Sequence, residues 1–447
     1  MSSSGTVPGD GSGSGSGTVA NPREHHWFSE PTEKAPGKYT AWLIIAQFVF
    51  FVALLGPAIV GIGMKITALQ ESGAIPAGGA GFNSAAAVLG GVGALFATIA
   101  NVVFGKVSDR TTSKWGRRRP WIVLGTVVMT VGFVVMATAP SLALATVGWA
   151  IAQLGANMTL APFVATLSDQ VPTFQRGTVS AALGIAQNAG IVGGVYVAGW
   201  FASNLFVVFV IPSLLAIVAM VVFALVLPDK VLPVKPPRMS FVELVQTFWV
   251  SPLKHPDYAL AWWSRFLITF ASFGFTTFRF AYMGFHLGVP EEEIPLLIAN
   301  TTLVYTGALV VTAFVAGRLS DKLGRRKVFV WTSTAVFAAG TFALIHVHSV
   351  PAYYVLEFIL GFAYGIYVGV DLALVVDVLP NPDDAGKDLG VFNIANALPQ
   401  TAAPAIGGVI LAATAGADGA DYTVWFTVCA IACLIGAAVI FPIKKVR

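Results

Sequence analysis

Two carboxylates, Glu357 and Asp371, stand inside one long apolar run. With Gly361, Tyr364 and Val368 they step along it at intervals of 4, 3, 4 and 3. That spacing places both acids and the tyrosine on a single stripe of an α-helix. A second apolar run carries Arg265, Thr269, Ser272, Thr276 and Arg279 at the same intervals. Ionisable groups in such runs are costly in lipid and by default mark function. Two acids on one helix and two bases on another invite ion pairs between them. Whether such an acid holds its proton depends on its hydration and on how close a cation stands. An acid that alternates between dry and cation-paired surroundings carries protons. Asp371 is the first candidate, as the deeper of the two, and Glu357 the second. The opposing reading is static: Arg265 and Arg279 snorkel to the two interfaces, and the acids are their structural partners.

Amides in the apolar runs form a second set. They are Gln47, then Gln153 and Asn157, then Gln187 and Asn188, with Asn393, Asn396 and Gln400 sharing one stripe further on. A site for a polyhydroxylated solute needs amides and hydroxyls to replace water, and an aromatic face for the apolar side of the ring. Tyr364 and Tyr367 could supply that face. Amides in membrane bundles also bond helix to helix, which is the alternative for each. No phosphate-binding glycine loop, nucleophile elbow or metal-ligand spacing is present. His346 and His348 point to different helix faces, and Cys429 and Cys433 read as two thiols in an apolar run. The expectation is therefore no enzyme, no cofactor and no metal, with energy drawn from a gradient.

The elements that must position these groups follow from composition. Only 11% of the 447 residues are charged and 56% are hydrophobic, against roughly 25% charged in an ordinary soluble domain. Mean hydropathy is +0.77. A cytosolic protein is excluded, and the pI near 9.0 does not point to nucleic acid, because the basic residues sit at the ends of apolar runs. Those runs match the ~20 residues that cross a bilayer. They are Ala41–Met64, Phe82–Gly105, Pro120–Ser168 broken at Pro140-Ser141, and Gly177–Pro228 turning near Ser203-Asn204. Tyr258–His286, Ile294–Gly317, Val328–His348, Pro351–Val378, Leu389–Ala413 and Tyr422–Phe441 follow. The expected fold is all-α and polytopic, with twelve transmembrane helices in two six-helix repeats. The boundaries are a disordered cytoplasmic Gly/Ser-rich tail over 1–38, bundles over 39–228 and 258–447, and a cytoplasmic linker over 229–257. Every Lys and Arg except Lys65 and Arg279 falls on one side of the expected topology. The opposite loops hold Glu71, Glu291–Glu293, Asp418 and Asp421. The positive side faces the cytoplasm, so both termini are expected there, in the plasma membrane.

The halves echo one another. Gly105-Lys-Val-Ser-Asp-Arg110 returns as Gly317-Arg-Leu-Ser-Asp-Lys322, Leu167-Ser-Asp-Gln-Val-Pro172 as Val375-Val-Asp-Val-Leu-Pro380, and Gly193-Gly194 as Gly407-Gly408. In this arrangement Gly105 and Gly317 would admit a close helix neighbour. Asp109 would accept from a helix N-terminus and from Arg110, Arg117 or Arg118, in contacts that hold the halves together and must break for the site to open. Asp321, Arg325 and Arg326 form the second copy. Asp169 with Arg176, and Asp377 with Lys387, sit where even-numbered spans reach the cytoplasm and look like charge relays that join the two copies, which makes them gating candidates.

The loop Gly105–Pro120, Gly-Lys-Val-Ser-Asp-Arg-Thr-Thr-Ser-Lys-Trp-Gly-Arg-Arg-Arg-Pro, resembles the signature loop of the major facilitator superfamily. Its longer form resembles the branch of sucrose transporters and glycoside–pentoside–hexuronide cation symporters. Gly386-Lys-Asp-Leu-Gly-Val-Phe-Asn-Ile-Ala-Asn-Ala-Leu-Pro-Gln400 and Ala156-Asn-Met-Thr-Leu-Ala-Pro162 are similar to blocks of the same branch. The resemblance spans residues 40–445. It implies a central cavity lined by the first, fourth, seventh and tenth helices, and proton-coupled uptake of a sugar or glycoside by a monomer. Two departures matter. Gln153 stands where plant sucrose carriers have an Asp, and Phe163-Val164 where they have an Arg, so those roles do not transfer. The rival expectation is a proton-coupled exporter of a drug or secreted metabolite, suggested by Pro404-Ala-Ile-Gly407-Gly408.

Overall fold

The computed structural model describes residues 31–232, 254–379, 385–415 and 421–444; the side chains of residues 372, 376, 385–390 and 393 fall outside that description. Most of the Gly/Ser-rich tail and of the expected linker, and the side chains of Lys387 and Asn393, therefore lie outside the described residues. Among those described, all regular structure is helical.

Helix α1 is Gly37–Glu71, interrupted by one π-helical turn at Pro57–Gly61. Then come α2 (Gly78–Asp109), α3 (Arg119–Thr138), α4 (Leu142–Gln170), α5 (Thr173–Trp200) and α6 (Leu205–Val226). The second series is α7 (Pro256–Ala281, prolonged by a π-helical turn at Tyr282–His286), α8 (Ile294–Leu323) and α9 (Arg326–Ala343). It continues with α10 (Val350–Val378), α11 (Ala385–Ala413) and α12 (Tyr422–Ala438). Ten of the twelve are long and apolar enough to cross a bilayer; α12 is a shorter apolar helix of 17 residues. The remaining one, α7, carries Asp257, Arg265 and Arg279.

The breaks have local causes. Ser141 ends the long apolar run after α3 by accepting a bond from the Leu144 amide (3.4 Å), and Asn204 does the same for Val207 (3.2 Å) before α6. Such caps satisfy amides that the first helical turn leaves unpaired. The expected first span stops at Met64, yet α1 continues to Glu71 and draws Lys65 into the buried interior, 4% exposed. The Lys65 ammonium donates to the Ala137 carbonyl at the end of α3 (3.1 Å). A cation at a helix C-terminus meets the negative end of its dipole, which compensates burial without a carboxylate.

Packing follows a repeat. In the first half α1 packs on α5 and α6, α4 on α2 and α3, and α3 on α6. In the second, α7 packs on α11 and α12, α10 on α8 and α9, and α9 on α12. The halves join through α2 with α11 and α5 with α8, two pairs that the repeat interchanges. Small residues allow the closest approaches. Gly361, Gly365 and Gly369 of α10 lie against the backbone at Tyr305, Leu309 and Ala313 of α8, where a Cβ has no room. Van der Waals packing of this kind replaces the hydrophobic drive that lipid cannot supply.

The face where α1 begins and α12 ends is here called the terminal face. Side-chain contacts between the halves gather near the opposite face. Phe82 stacks on Phe280 (centroids 5.6 Å), the Tyr196 hydroxyl donates to Asn300 Oδ1 (2.8 Å), and Asn83 Nδ2 donates to the Tyr422 hydroxyl (3.4 Å).

Candidate functional site

Helices α7 and α10 bring the four expected charges together as two separate ion pairs. Toward the terminal face, Arg265 Nη2 lies 3.1 Å from Asp371 Oδ2. The Tyr367 hydroxyl, one turn back on α10, donates to Asp371 Oδ1 (2.8 Å), and the Arg265 guanidinium lies over the Phe392 ring at 4.9 Å. This pair is loosely held. The Arg265 side chain is 19% exposed, and neither its Nε nor Asp371 Oδ2 has an aligned hydrogen-bond partner.

Toward the opposite face, Arg279 Nη2 lies 2.6 Å from Glu357 Oε1. Glu357 is wholly buried. Tyr353 donates to it at 2.5 Å and itself accepts from Arg279 Nε at 3.0 Å. Arg279 also donates to the hydroxyls of Thr302 (2.9 Å) and Thr301 on α8. Glu357 Oε2 alone is left without a partner. Arg279 therefore does not snorkel to an interface; it ties α7, α8 and α10 together. The expectation that Asp371 is the deeper acid also changes. Each carboxylate stands seven residues from one end of α10, and Glu357 is the more enclosed. Sequence reasoning passed over Tyr353, Thr301 and Thr302, although Tyr353 lies one turn before Glu357 on the same stripe.

The amides pair locally, each within its own half. Gln47 of α1 donates to Gln187 of α5 (3.4 Å), leaving the buried Gln47 Oε1 unpaired. Asn157 of α4 donates to the Gln153 carbonyl (3.0 Å) and accepts from Asn101 of α2 (3.2 Å). Asn101 was not among the expected residues; an amide inside the second apolar run was its signal. Asn188 donates to the Gly184 carbonyl (2.9 Å), a bond within its own helix. Thr269 donates to Asn396 (3.5 Å), and Gln400 is half-buried on α11. Tyr364 and Tyr367 lie with ring centroids 5.9 Å apart, and Tyr364 is further flanked by Tyr305 and Phe337.

The expected gating charges form two matching constellations on the terminal face. Arg118 pairs with Asp109 (2.5 Å) and Asp169 (3.0 Å), and Arg117 with Asp169 (2.6 Å). Arg326 pairs with Asp377 (2.5 Å) and Asp321 (3.6 Å). Three details differ from expectation. Asp169 is held by Arg117 and Arg118, whereas Arg176 donates to the carbonyls of Val171 and Ser168. The acceptor for a helix N-terminus is Asp229, beyond α6, which takes the amides of Arg118 (2.7 Å) and Arg119 (3.0 Å); Asp109, at the end of α2, is half exposed and engages Arg118. A Cβ on Gly105 would meet Ala161 at an ordinary 3.8 Å, while one on Gly317 would meet the Gly369 carbonyl at 3.1 Å, so only Gly317 marks a tight approach. The ion pairs described here lie within each half rather than between halves. Arg325 is exposed at the start of α9, and Arg110 is half-buried just beyond α2. No cluster of metal-ligating side chains occurs among the described residues.

A repeat of six helices, mirrored interfaces and mirrored charge clusters define a class before any comparison. The family model for the Major Facilitator Superfamily matches residues 41–303 and 280–447. The chain belongs to that superfamily: it is a multi-pass membrane transporter of a small molecule, not an enzyme. No curated protein sequence matches it significantly. Solved structures share the fold at low identity. A bacterial homologue of the human lysosomal transporter Spinster, in an inward-facing and occupied conformation, superposes with a TM-score of 0.69 at 14% identity, over 93% of this chain and 98% of the other. The nucleoside transporter NupG gives 0.69 at 15%, over 92% and 100%. The peptide transporter POT in complex with sulfate gives 0.69 at 15%, over 91% and 94%.

Proposed function

We propose that this transporter is secondary active and takes up a sugar or glycoside together with protons, by alternating access. The observation that carries the reading is the contrast between the two ion pairs. Arg279–Glu357 is enclosed and bonded on three helices, so it suits a fixed strut. Arg265–Asp371 has a part-exposed guanidinium and a single, longer 3.1 Å contact, so it suits a group that exchanges a proton for a cation partner. Asp371 is accordingly the coupling carboxylate, Arg265 its partner, and Tyr367 the donor that orients it. The sugar class rests on the Gly386–Gln400 and Gly105–Pro120 blocks and on amides and tyrosines able to bond hydroxyls. The positive charge of the terminal face supports cytoplasmic termini in a plasma membrane. The cross-half contacts near the other face then support a conformation closed to the outside, in a chain that works as a monomer. The segment Pro404–Gly408 seats α11 on α2, a packing role that an exporter would need equally.

The test is uptake by purified protein in liposomes under an imposed inward proton gradient, with labelled mono- and disaccharides. Gradient-dependent accumulation of any of them is the expected result. Proton-driven efflux of a hydrophobic cation, with no sugar signal, would replace this reading by the exporter.

A further inference from the structure

Near the face remote from the termini, α2 lies against α11: Ala87 meets Gly408, Gly90 meets Pro404, and Gly91 meets Ala405 and Thr401. The stripe of α2 that makes this seam continues toward the terminal face through Ala94, Thr98 and Asn101, at helical spacing. Asn101 is exposed, about two turns before Asp109. On the α11 side, Leu398, just beyond Thr401 on the way to the terminal face, is 48% exposed. Asn101 thus lies where the seam between the halves continues past its closed part. The exposed apolar residues of α2, Leu95, Ile99 and Val103, fall on the other side of the helix from this stripe, so the free surface of Asn101 belongs to the space between the halves.

We propose that Asn101, together with Asn157, is a substrate-contacting subsite for two adjacent hydroxyls of a neutral polyol. The proposal deepens the sugar-uptake reading and rests on it. Asn101 Nδ2 donates to Asn157 Oδ1 at 3.2 Å, and Asn157 Nδ2 donates to the Gln153 carbonyl at 3.0 Å. After those bonds Asn101 retains its Oδ1 and one N–H, and Asn157 one N–H and an acceptor site on Oδ1. Donors and acceptors alternating side by side match neighbouring hydroxyls, each of which both donates and accepts. Both partners of the pair are uncharged, so the subsite selects neutral substrates over ionic ones. A site on this seam faces both halves, which is what alternating access demands of a substrate contact.

The test uses the full-length protein in liposomes with a labelled sugar that the wild type accumulates. Asn101→Ala and Asn157→Ala should each raise KM by about tenfold while Vmax stays within about twofold, and the double variant should fall short of the product of the two, as for residues acting as one unit. In parallel, Asn101→Cys should react with a water-soluble maleimide and be protected by the sugar; the native Cys429 and Cys433 are buried. An Asn101→Ala variant with wild-type KM, or a folded Asn101→Cys variant inert to the reagent, would overturn the subsite and leave sugar uptake standing. A wild type that takes up no sugar in the panel would overturn both together.

Discussion

The two arginine–carboxylate pairs of the second half illustrate how much enclosure decides a residue's role. Glu357 and Arg279 have exchanged water for each other, a tyrosine and two threonine hydroxyls. Removing one member of such a pair leaves the other buried and uncompensated, at a cost of about 3–5 kcal/mol. Glu357→Ala should therefore lower the thermal unfolding midpoint in detergent markedly, and the paired change Arg279→Met with Glu357→Leu should recover much of the loss. If Glu357→Ala unfolds at the wild-type temperature, the strut assignment fails. The stripes that carry these residues were legible as spacing alone, because intervals of 3 and 4 admit one helical reading. Their enclosure was not, since the hydroxyls that hold Arg279 against Glu357 come from Thr301 and Thr302 of α8, on a different helix from either. Asn101 escaped notice for a related reason: an isolated amide carries no pattern until Asn157 is brought beside it.

At the level of elements, helix starts and stops were written in the chain: Ser141 and Asn204 cap where the long apolar runs had to break. Ends set by tertiary contact were less visible. Helix α1 continues past Met64 because Lys65 finds the end of α3, and the N-terminus of α3 is capped by Asp229 rather than by a residue of its own loop. The glycines of α10 matter more than their sequence positions suggest. At Gly365 a Cβ would collide with the backbone of Leu309 and the hydroxyl of Thr312. Gly365→Val should separate α8 from α10 and cost more than about 3 kcal/mol, as for severe overpacking. Gly177→Ala, where nothing lies within reach of a new Cβ, should be neutral or stabilise by up to about 1 kcal/mol, because alanine is the better helix former. Equal unfolding midpoints for the two variants would show that the α8–α10 contact is not tight.

On the scale of the whole molecule, the repeat holds in the helix packing and breaks in the chemistry. Arg118 and Arg326 each hold two aspartates at the terminal face. Both arginine–carboxylate pairs that lie inside the apolar runs, by contrast, belong to the second half. On the proposed function, both halves gate and only the second couples. Gating by rocking of the halves has its own test. A Cβ on Gly90 would lie 3.0 Å from Pro404 Cβ, close to disulfide range. Oxidising the pair Gly90→Cys and Pro404→Cys should arrest transport, and reduction should restore it; transport that continues through the cross-link would rule out opening at this seam. Coupling is the central claim, and the most direct measurement of it compares two assays of Asp371→Asn in liposomes. If Asp371 couples, accumulation driven by a proton gradient is lost while counterflow exchange of the same sugar persists. Accumulation by the Asp371→Asn protein at the wild-type level would contradict it.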